Sequence, residues 1–289
     1  MTATYGPFAL TSYPCALCGE SKSRVVMTKK GAAVPLPFSI VACRRCGHVR
    51  VDPRIPDERL DELYDAAYYR GDGFDRTVDY DAPPSAETKA ANDAVLDTVA
   101  EARGGSIAGA RWLDVGCGTG GLLDEARRRG AITHGTDSSA FAAAACAKKG
   151  ITLLGDAQVK SMRDSFDVVS AIEVIEHVPQ PRELLGFLRA RVRPGGVVYV
   201  GTGNWNLLRR QPETPYLMPE GHIQYFTPEI MRRLFAESGL REAPVLNRSW
   251  FVARRARGVV PGPAIARWAK VAIALTPSVA PFPVGIRTG

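Results

Sequence analysis

A chain of 289 residues has room for one medium-sized core and a small accessory unit, and two large domains would crowd it. With 45% hydrophobic and 23% charged residues it has a globular composition, which excludes a largely disordered chain. The formal net charge is +7, but six basic residues and no acidic one lie beyond Phe251, leaving the preceding body near +1 and arguing against nucleic acid as its partner.

Met1 to Pro14 lacks the basic start and apolar core of an export signal, so a cytoplasmic protein is expected. Two knuckles follow, Cys15-Ala16-Leu17-Cys18-Gly19 and Cys43-Arg44-Arg45-Cys46-Gly47, with 24 residues between them. Four thiolates at this spacing suit tetrahedral zinc, and a glycine after each pair permits the turn that aims backbone amides at sulfur. Cys15, Cys18, Cys43 and Cys46 are therefore expected to hold a structural zinc in a ribbon-like module over residues 1–56. The metal would supply stability that its two or three short strands lack.

Asp52-Pro53-Arg54-Ile55-Pro56 reads as a rigid exit. Residues 57–104 form a helical connector. Leu60, Leu63, Tyr64 and Ala67 recur at helical spacing, Gly71-Asp72-Gly73 and Asp81-Ala82-Pro83-Pro84 interrupt it, and a second helix runs from about Ser85 to Ala102. Its position makes it a candidate lid, with Tyr68 and Tyr69 at the mouth of a site and Tyr64 packed for structure.

From residue 105 to 252, apolar strands alternate with helices. Strands are expected at Arg111–Val115, Thr133–Asp137, Ile151–Leu154, Phe166–Ile172 and Gly196–Val200, a cadence that predicts an α/β fold. Its sheet would be mainly parallel and helix-covered, with ligands outside the carboxyl ends of the strands. The first strand runs into Asp114-Val115-Gly116-Cys117-Gly118-Thr119-Gly120. Gly116, Gly118 and Gly120 would let backbone approach a cofactor, Asp114 would meet a cationic amino group, and Asp137 at the next strand end would accept from ribose hydroxyls.

With Gly155-Asp156-Ala157, Phe166-Asp167-Val168-Val169 and Arg193-Pro194-Gly195-Gly196, in this order, the glycine turn resembles the class I S-adenosylmethionine-dependent methyltransferases over roughly Arg111 to Leu240. The resemblance implies a Rossmann-like sheet that binds S-adenosyl-L-methionine. Asp114 and the turn would hold its methionine portion, Asp137 the ribose, and Ser138 would pack beside ribose and adenine. Asp156 and Ala157 would border the adenine.

Glu173-Val174-Ile175-Glu176-His177-Val178-Pro179 follows the fourth strand, where cofactor and acceptor should meet. Glu173 is assigned to the methionine end, Glu176 to orienting an acceptor or ion, and His177 to removing a proton from an acceptor hydroxyl. Glu-x-x-Glu-His also resembles the O-methyltransferases of ubiquinone biosynthesis, whose matching residues bind magnesium. That resemblance implies magnesium at Glu173, Glu176 and His177, while a metal-free strand-to-helix connection stays open. After the fifth strand, Gly221-His222-Ile223-Gln224-Tyr225-Phe226 leads to a helix capped by Thr227 with Pro228 at its first position. His222, Gln224 and Tyr225 are candidates to face the acceptor, with His222 a second candidate base.

Residues 253–289 read as a basic, proline-containing tail. Its apolar stretch Val271–Phe282 is too short to span a membrane but suited to an anionic interface. The cysteine-rich head, tyrosine-bearing connector and catalytic domain together also resemble bacterial methyltransferases of sugar, polysaccharide or secondary-metabolite pathways. This implies a small-molecule acceptor, with a nucleotide-linked sugar first and a quinone or phenol as alternative, and O-methylation as the leading reaction. C- or N-methylation, an RNA or protein acceptor, and an inactive zinc-containing binding protein remain open.

Overall fold

The computed structural model describes residues 6–75, 84–242 and 273–277, the last as backbone. Strands β1 (Ser23–Lys30), β2 (Pro37–Cys43) and β3 (Val49–Val51) make an antiparallel meander that begins and ends beside the cysteine knuckles. The connector is less regular than the spacing predicts. A 3-10 turn spans Asp57–Leu63 and a one-turn helix α1 covers Ala66–Tyr69, because the Asp65 side chain accepts the amides of Ala67 and Tyr68 and starts a new helix there. Helix α2 (Ala86–Ala102) starts as expected, with the Ser85 side chain accepting the Thr88 amide.

The alternating region follows as β4 (Arg111–Val115), α3 (Gly121–Arg128), β5 (Ile132–Thr136), α4 (Ala140–Lys148), β6 (Thr152–Leu153), α5 (Asp156–Ser161), β7 (Phe166–Ile172), α6 (Pro181–Arg191) and β8 (Val192–Gly201). Then come α7 (Trp205–Leu208), β9 (Gln224–Tyr225), α8 (Pro228–Glu237), β10 (Leu240–Glu242) and β11 (Ile273–Pro277). The main sheet has the order β10-β11-β8-β7-β4-β5-β6, parallel from β8 to β6, with β11 running antiparallel between β8 and β10. This is the Rossmann-like sheet of class I methyltransferases.

β7 is buried along nearly its whole length, as a central strand covered on both faces must be, and its run of apolar residues has no amphipathic alternation. Helices α6 and α8 pack Leu185, Leu188, Met231 and Leu234 on one side of it. Helices α2 and α3 bring Leu96, Val99, Leu122 and Leu123 to Trp112 on the other. Arg193-Pro194-Gly195-Gly196 forms a bulge inside β8 rather than a turn before it, with Gly195 at φ +80° and the β7–β8 register shifting across it. At the opposite end of the sheet from the expected cleft, Asp167 accepts the Arg111 amide at 2.7 Å and pairs with Arg193 at 2.6 Å. It thus pins strand starts.

Two departures concern chain ends. Ile273–Pro277, expected within the tail, supplies a strand between β8 and β10, and its short apolar run is too brief for periodicity to distinguish it from a surface segment. The rest of 253–289 lies outside the described residues. The head's sheet, in turn, is completed by β9, which pairs with β3 from more than 170 residues away in sequence. No helix among the described residues is long and apolar enough to cross a membrane.

The glycine turn after β4 shows why glycine is required there. Gly116, Gly118 and Gly120 all hold positive φ, at +70°, +52° and +74°. A Cβ on Gly116 would lie 2.6 Å from Val174, and one on Gly120 would lie 2.5 Å from Ile151. At these two positions the demand is therefore packing inside the protein, where the sequence spacing suggests access for a ligand. Gly120→Ala should lower the free energy of unfolding by about 1–3 kcal/mol, measured by denaturant titration.

Candidate active site and cysteine cluster

The carboxyl ends of β4, β5 and β7 converge on three acidic residues. Asp114, at the end of β4, is 4% exposed, and the Ser170 hydroxyl on neighbouring β7 donates to it at 2.5 Å. The Trp112 indole N–H donates in turn to Ser170 at 2.7 Å. Burial raises the Asp114 carboxyl to about 7, with the Ser170 bond opposing and the negative field of Asp137 adding to the rise. Asp137 follows β5. One of its oxygens accepts the Gly118 amide at 2.9 Å, and the other accepts the Ser139 amide at 2.9 Å and the Tyr69 hydroxyl at 3.3 Å. The carboxylate thus braces the glycine turn and the connector together.

Glu173 leaves β7 at φ +55°, a left-handed conformation that costs a non-glycine residue roughly 1–2 kcal/mol. Its amide donates to the Gly201 carbonyl at 2.9 Å, so the chain turns out of the sheet there. Ser138, Asp156 and Ala157 stand on the exposed rim beside β5 and β6. The Asp156 carboxylate pairs with Lys160 at 3.6 Å across one helical turn.

On the acceptor side, ligand-type atoms of Glu176, His177 and His222 all lie within 4.8 Å of one another. His177 Nδ1 is 3.0 Å from the Gly221 carbonyl and 2.7 Å from the Tyr64 hydroxyl. A carbonyl only accepts, so the Gly221 bond requires the proton on Nδ1, which makes the Tyr64 oxygen a second acceptor there and leaves the lone pair on Nε2. The same argument applies to His222, whose Nδ1 is 2.8 Å from the Tyr216 carbonyl. The two rings stand 4.6 Å apart at 71°. Burial lowers the His177 imidazole below its ordinary range, which leaves it neutral at neutral pH.

Glu176 is fully buried and accepts the Tyr216 hydroxyl at 2.5 Å, while that phenol oxygen accepts the Gly203 amide at 2.7 Å. It therefore secures the loop around His222. The magnesium assignment does not fit this geometry. Glu173, Glu176 and His177 do not form one close set, and two imidazoles with one carboxylate are poor company for an ion that prefers oxygen.

Aromatic rings surround His177. Tyr64 meets it edge-on with centroids 5.7 Å apart, Phe74 lies 6.4 Å away, and Tyr68 stacks on Phe74 at 5.0 Å. Tyr64, expected only to pack, touches the candidate base. Gln224 and Tyr225, expected to face the acceptor, are buried in the seam with the head. Tyr216 and Phe74 leave little trace in the sequence, because each sits in a loop without periodicity and is marked only by the Pro215 or Gly73 before it.

The four head cysteines form the second close set, again with all ligand atoms within 4.8 Å. Cys15 and Cys46 sulfurs are 3.6 Å apart and those of Cys18 and Cys43 are 3.5 Å apart. Both knuckles have the expected turn, with the Gly19 amide on the Cys15 carbonyl at 2.8 Å and the Gly47 amide on the Cys43 carbonyl at 3.0 Å. Burial pushes the Cys15 thiol up. At Cys43 burial acts the same way but is outweighed by the Cys46 and Arg45 amides, which bring it down to about 7.

A family model described as a methyltransferase domain matches residues 87–243, more than half of the chain. The chain is 33% identical over 167 residues to the ubiquinone biosynthesis O-methyltransferase of Aeromonas salmonicida, covering 52% of this chain and 70% of that enzyme. It is 35% identical over 112 residues to the enzyme of the same name from a Shewanella species, covering 36% of this chain and 48% of that one. Beyond the Aeromonas protein, the chain spans about half the length of the curated relatives it matches. Among solved structures it is similar in fold to the 1,6-didemethyltoxoflavin-N1-methyltransferase of Burkholderia thailandensis, with a TM-score of 0.52 and 13% identity over 86% of this chain and 100% of that one.

Proposed function

The chain belongs to the methyltransferase-domain family, and from that premise we propose that it transfers a methyl group from S-adenosylmethionine to the hydroxyl of a small phenolic or quinol acceptor. The observation that carries this reading is the tethered, neutral imidazole of His177 among aromatic rings after β7, with a glycine turn and its carboxylates leaving the same end of the neighbouring strand β4.

When bound, S-adenosylmethionine supplies an electrophilic methyl carbon on a sulfonium. The protein's tasks are then to align the acceptor, exclude water and take up its proton. Asp114 receives the donor's amino group. A buried carboxyl raised to about 7 regains its charge when a cation is placed beside it, so its environment suits an ammonium partner. Asp137 receives the ribose, the glycine turn and Glu173 border the methionine end, and Ser138, Asp156 and Ala157 line the open adenine rim. His177 Nε2 accepts the acceptor's proton, and His222 supports it edge-on.

Tyr64, Tyr68 and Phe74 offer faces and edges that suit a flat aromatic acceptor better than a sugar. The similarity to ubiquinone-pathway O-methyltransferases supports the same choice and displaces the nucleotide-linked sugar. Cys15, Cys18, Cys43 and Cys46 hold a structural zinc in this proposal. Their sulfur separations of 3.5 and 3.6 Å approach the edge of about 3.8 Å that a tetrahedron with Zn–S of about 2.3 Å requires.

Incubation with a methyl-labelled donor against a panel of catechols, quinols and nucleotide-linked sugars tests the acceptor class. Label is expected on a phenolic oxygen, and label on sugars alone would overturn the reading. His177→Gln should lower kcat by about 10²–10⁴-fold and leave the dissociation constant of S-adenosylhomocysteine unchanged. In the wild type, kcat should fall only below the ordinary imidazole pKa of about 6.5, because burial makes His177 harder to protonate. Binding of S-adenosylhomocysteine needs Asp114 as a carboxylate. Calorimetry should therefore show affinity weakening as pH falls through about 7, approaching tenfold per pH unit below it. Elemental analysis should find one zinc per chain, lost on joint replacement of Cys15 and Cys18 by serine.

A further inference from the structure

The loop that orients both histidines is itself fastened to the head. At its start, Lys29 Nζ, from near the end of strand β1, donates to the carbonyls of Pro212 at 2.7 Å and Thr214 at 3.2 Å. In its later part, the wholly buried Glu220 carboxylate accepts the amides of Ala32 and Ala33 in the β1–β2 turn, the second at 2.9 Å. Gly31 makes that approach possible, since a Cβ there would lie 3.1 Å from the Glu220 carboxyl carbon and 2.2 Å from the Val34 carbonyl oxygen.

Past the loop, the buried Gln224 side chain joins three segments. Its carbonyl accepts His48 Nε2–H at 2.8 Å, and its amide nitrogen donates to the carbonyls of Val178 and Pro179, immediately after His177. Its backbone amide donates to the Glu176 carbonyl at 3.1 Å. Between the Lys29 and Gln224 ties lie the groups that fix the candidate catalytic rings: the Tyr216 carbonyl on His222, the Gly221 carbonyl on His177, and the Tyr216 hydroxyl on Glu176.

We propose that the cysteine-bearing head is a clamp that sets the tautomer and orientation of His177 and His222, with Lys29, Glu220 and Gln224 as its positioning residues. The donor side is independent of it. Asp114 and Asp137 are held by Ser170, Gly118, Ser139 and Tyr69, none of which belongs to the head. The clamp rests on the reading of His177 as the base, so one readout is chosen that needs no acceptor.

Nitrogen-15 NMR of the full chain reports which ring nitrogen of each histidine carries the proton. The chain has only four histidines, so His177→Gln and His222→Gln assign the signals. The wild type should show both rings protonated at Nδ1. Glu220→Ala and, separately, Lys29→Met should move both rings toward a mixture with Nε2–H and lower kcat roughly 10–100-fold. They should leave KM for the donor and the affinity for S-adenosylhomocysteine unchanged. Glu220→Gln, which keeps an oxygen for the Ala32 and Ala33 amides, should restore the wild-type spectrum. Should Glu220→Ala fail to fold, Lys29→Met carries the same test. Wild-type imidazole signals in a folded Lys29→Met or Glu220→Ala protein would overturn the clamp, as would parallel loss of S-adenosylhomocysteine binding. If no phenol is methylated but the tautomers shift as described, the acceptor reading fails and the clamp stands.

Discussion

The chain of hydrogen bonds from Trp112 through Ser170 to Asp114 is the interaction on which the site depends. It crosses from β4 to β7 and back, so the register of the two central strands and the position of the deepest carboxylate are set together. Because both strands are buried, neither can slip without exposing apolar surface and leaving polar atoms unpaired, each a cost of about 1–3 kcal/mol or more. The end of β7 is thereby held where Glu173, Glu176 and His177 must emerge. A carboxyl kept near neutrality by burial is a poor resident of an empty core and a suitable partner for an ammonium group.

The histidine cluster is built on a different principle. Its parts come from the loop after β7, the long loop before β9 and the connector, none of which belongs to the sheet. They are ordered by backbone carbonyls and by side chains of the head. Each imidazole gives its Nδ1 proton to a carbonyl, which leaves Nε2 as the basic nitrogen in both rings. The head therefore does not sit on the catalytic domain as a separate bead: β9 is its fourth strand, and Arg182 joins the Ala16 carbonyl to Glu237 on α8. Loops rather than the sheet carry most of the variation on a shared scaffold, and here the cysteine module is hydrogen-bonded to such a loop.

The strand and helix cadence from Arg111 to Glu237 could be read from the chain because buried parallel strands are short apolar runs and the covering helices have their own period. Ser85 and Thr227 marked helix starts for the same local reason, as side-chain oxygens meeting unpaired amides. The four cysteines announced themselves by spacing. Where local rules competed with distant partners, they misled. Asp65 broke the helix expected through Ala67, and Ile273–Pro277 joined the sheet instead of remaining tail. Gln224, polar and two positions from a candidate catalytic histidine, turned inward because His48 of the head and the Val178 and Pro179 carbonyls after β7 together supply its amide with partners.

What the chain determined by itself is the glycine turn with its neighbouring carboxylates and the two cysteine knuckles. There each ligand-bearing residue lies within a few positions of the turn or strand that aims it, and sequence distance stands in for spatial distance. What tertiary structure alone decided is the surroundings of the two histidines: Tyr64 beside His177, Tyr216 on Glu176, and the head joined to the loop through Lys29 and Glu220. Those partners are separated by 40 to 188 residues, and no periodicity or spacing rule can encode a contact whose register is set by the packing of two sheets.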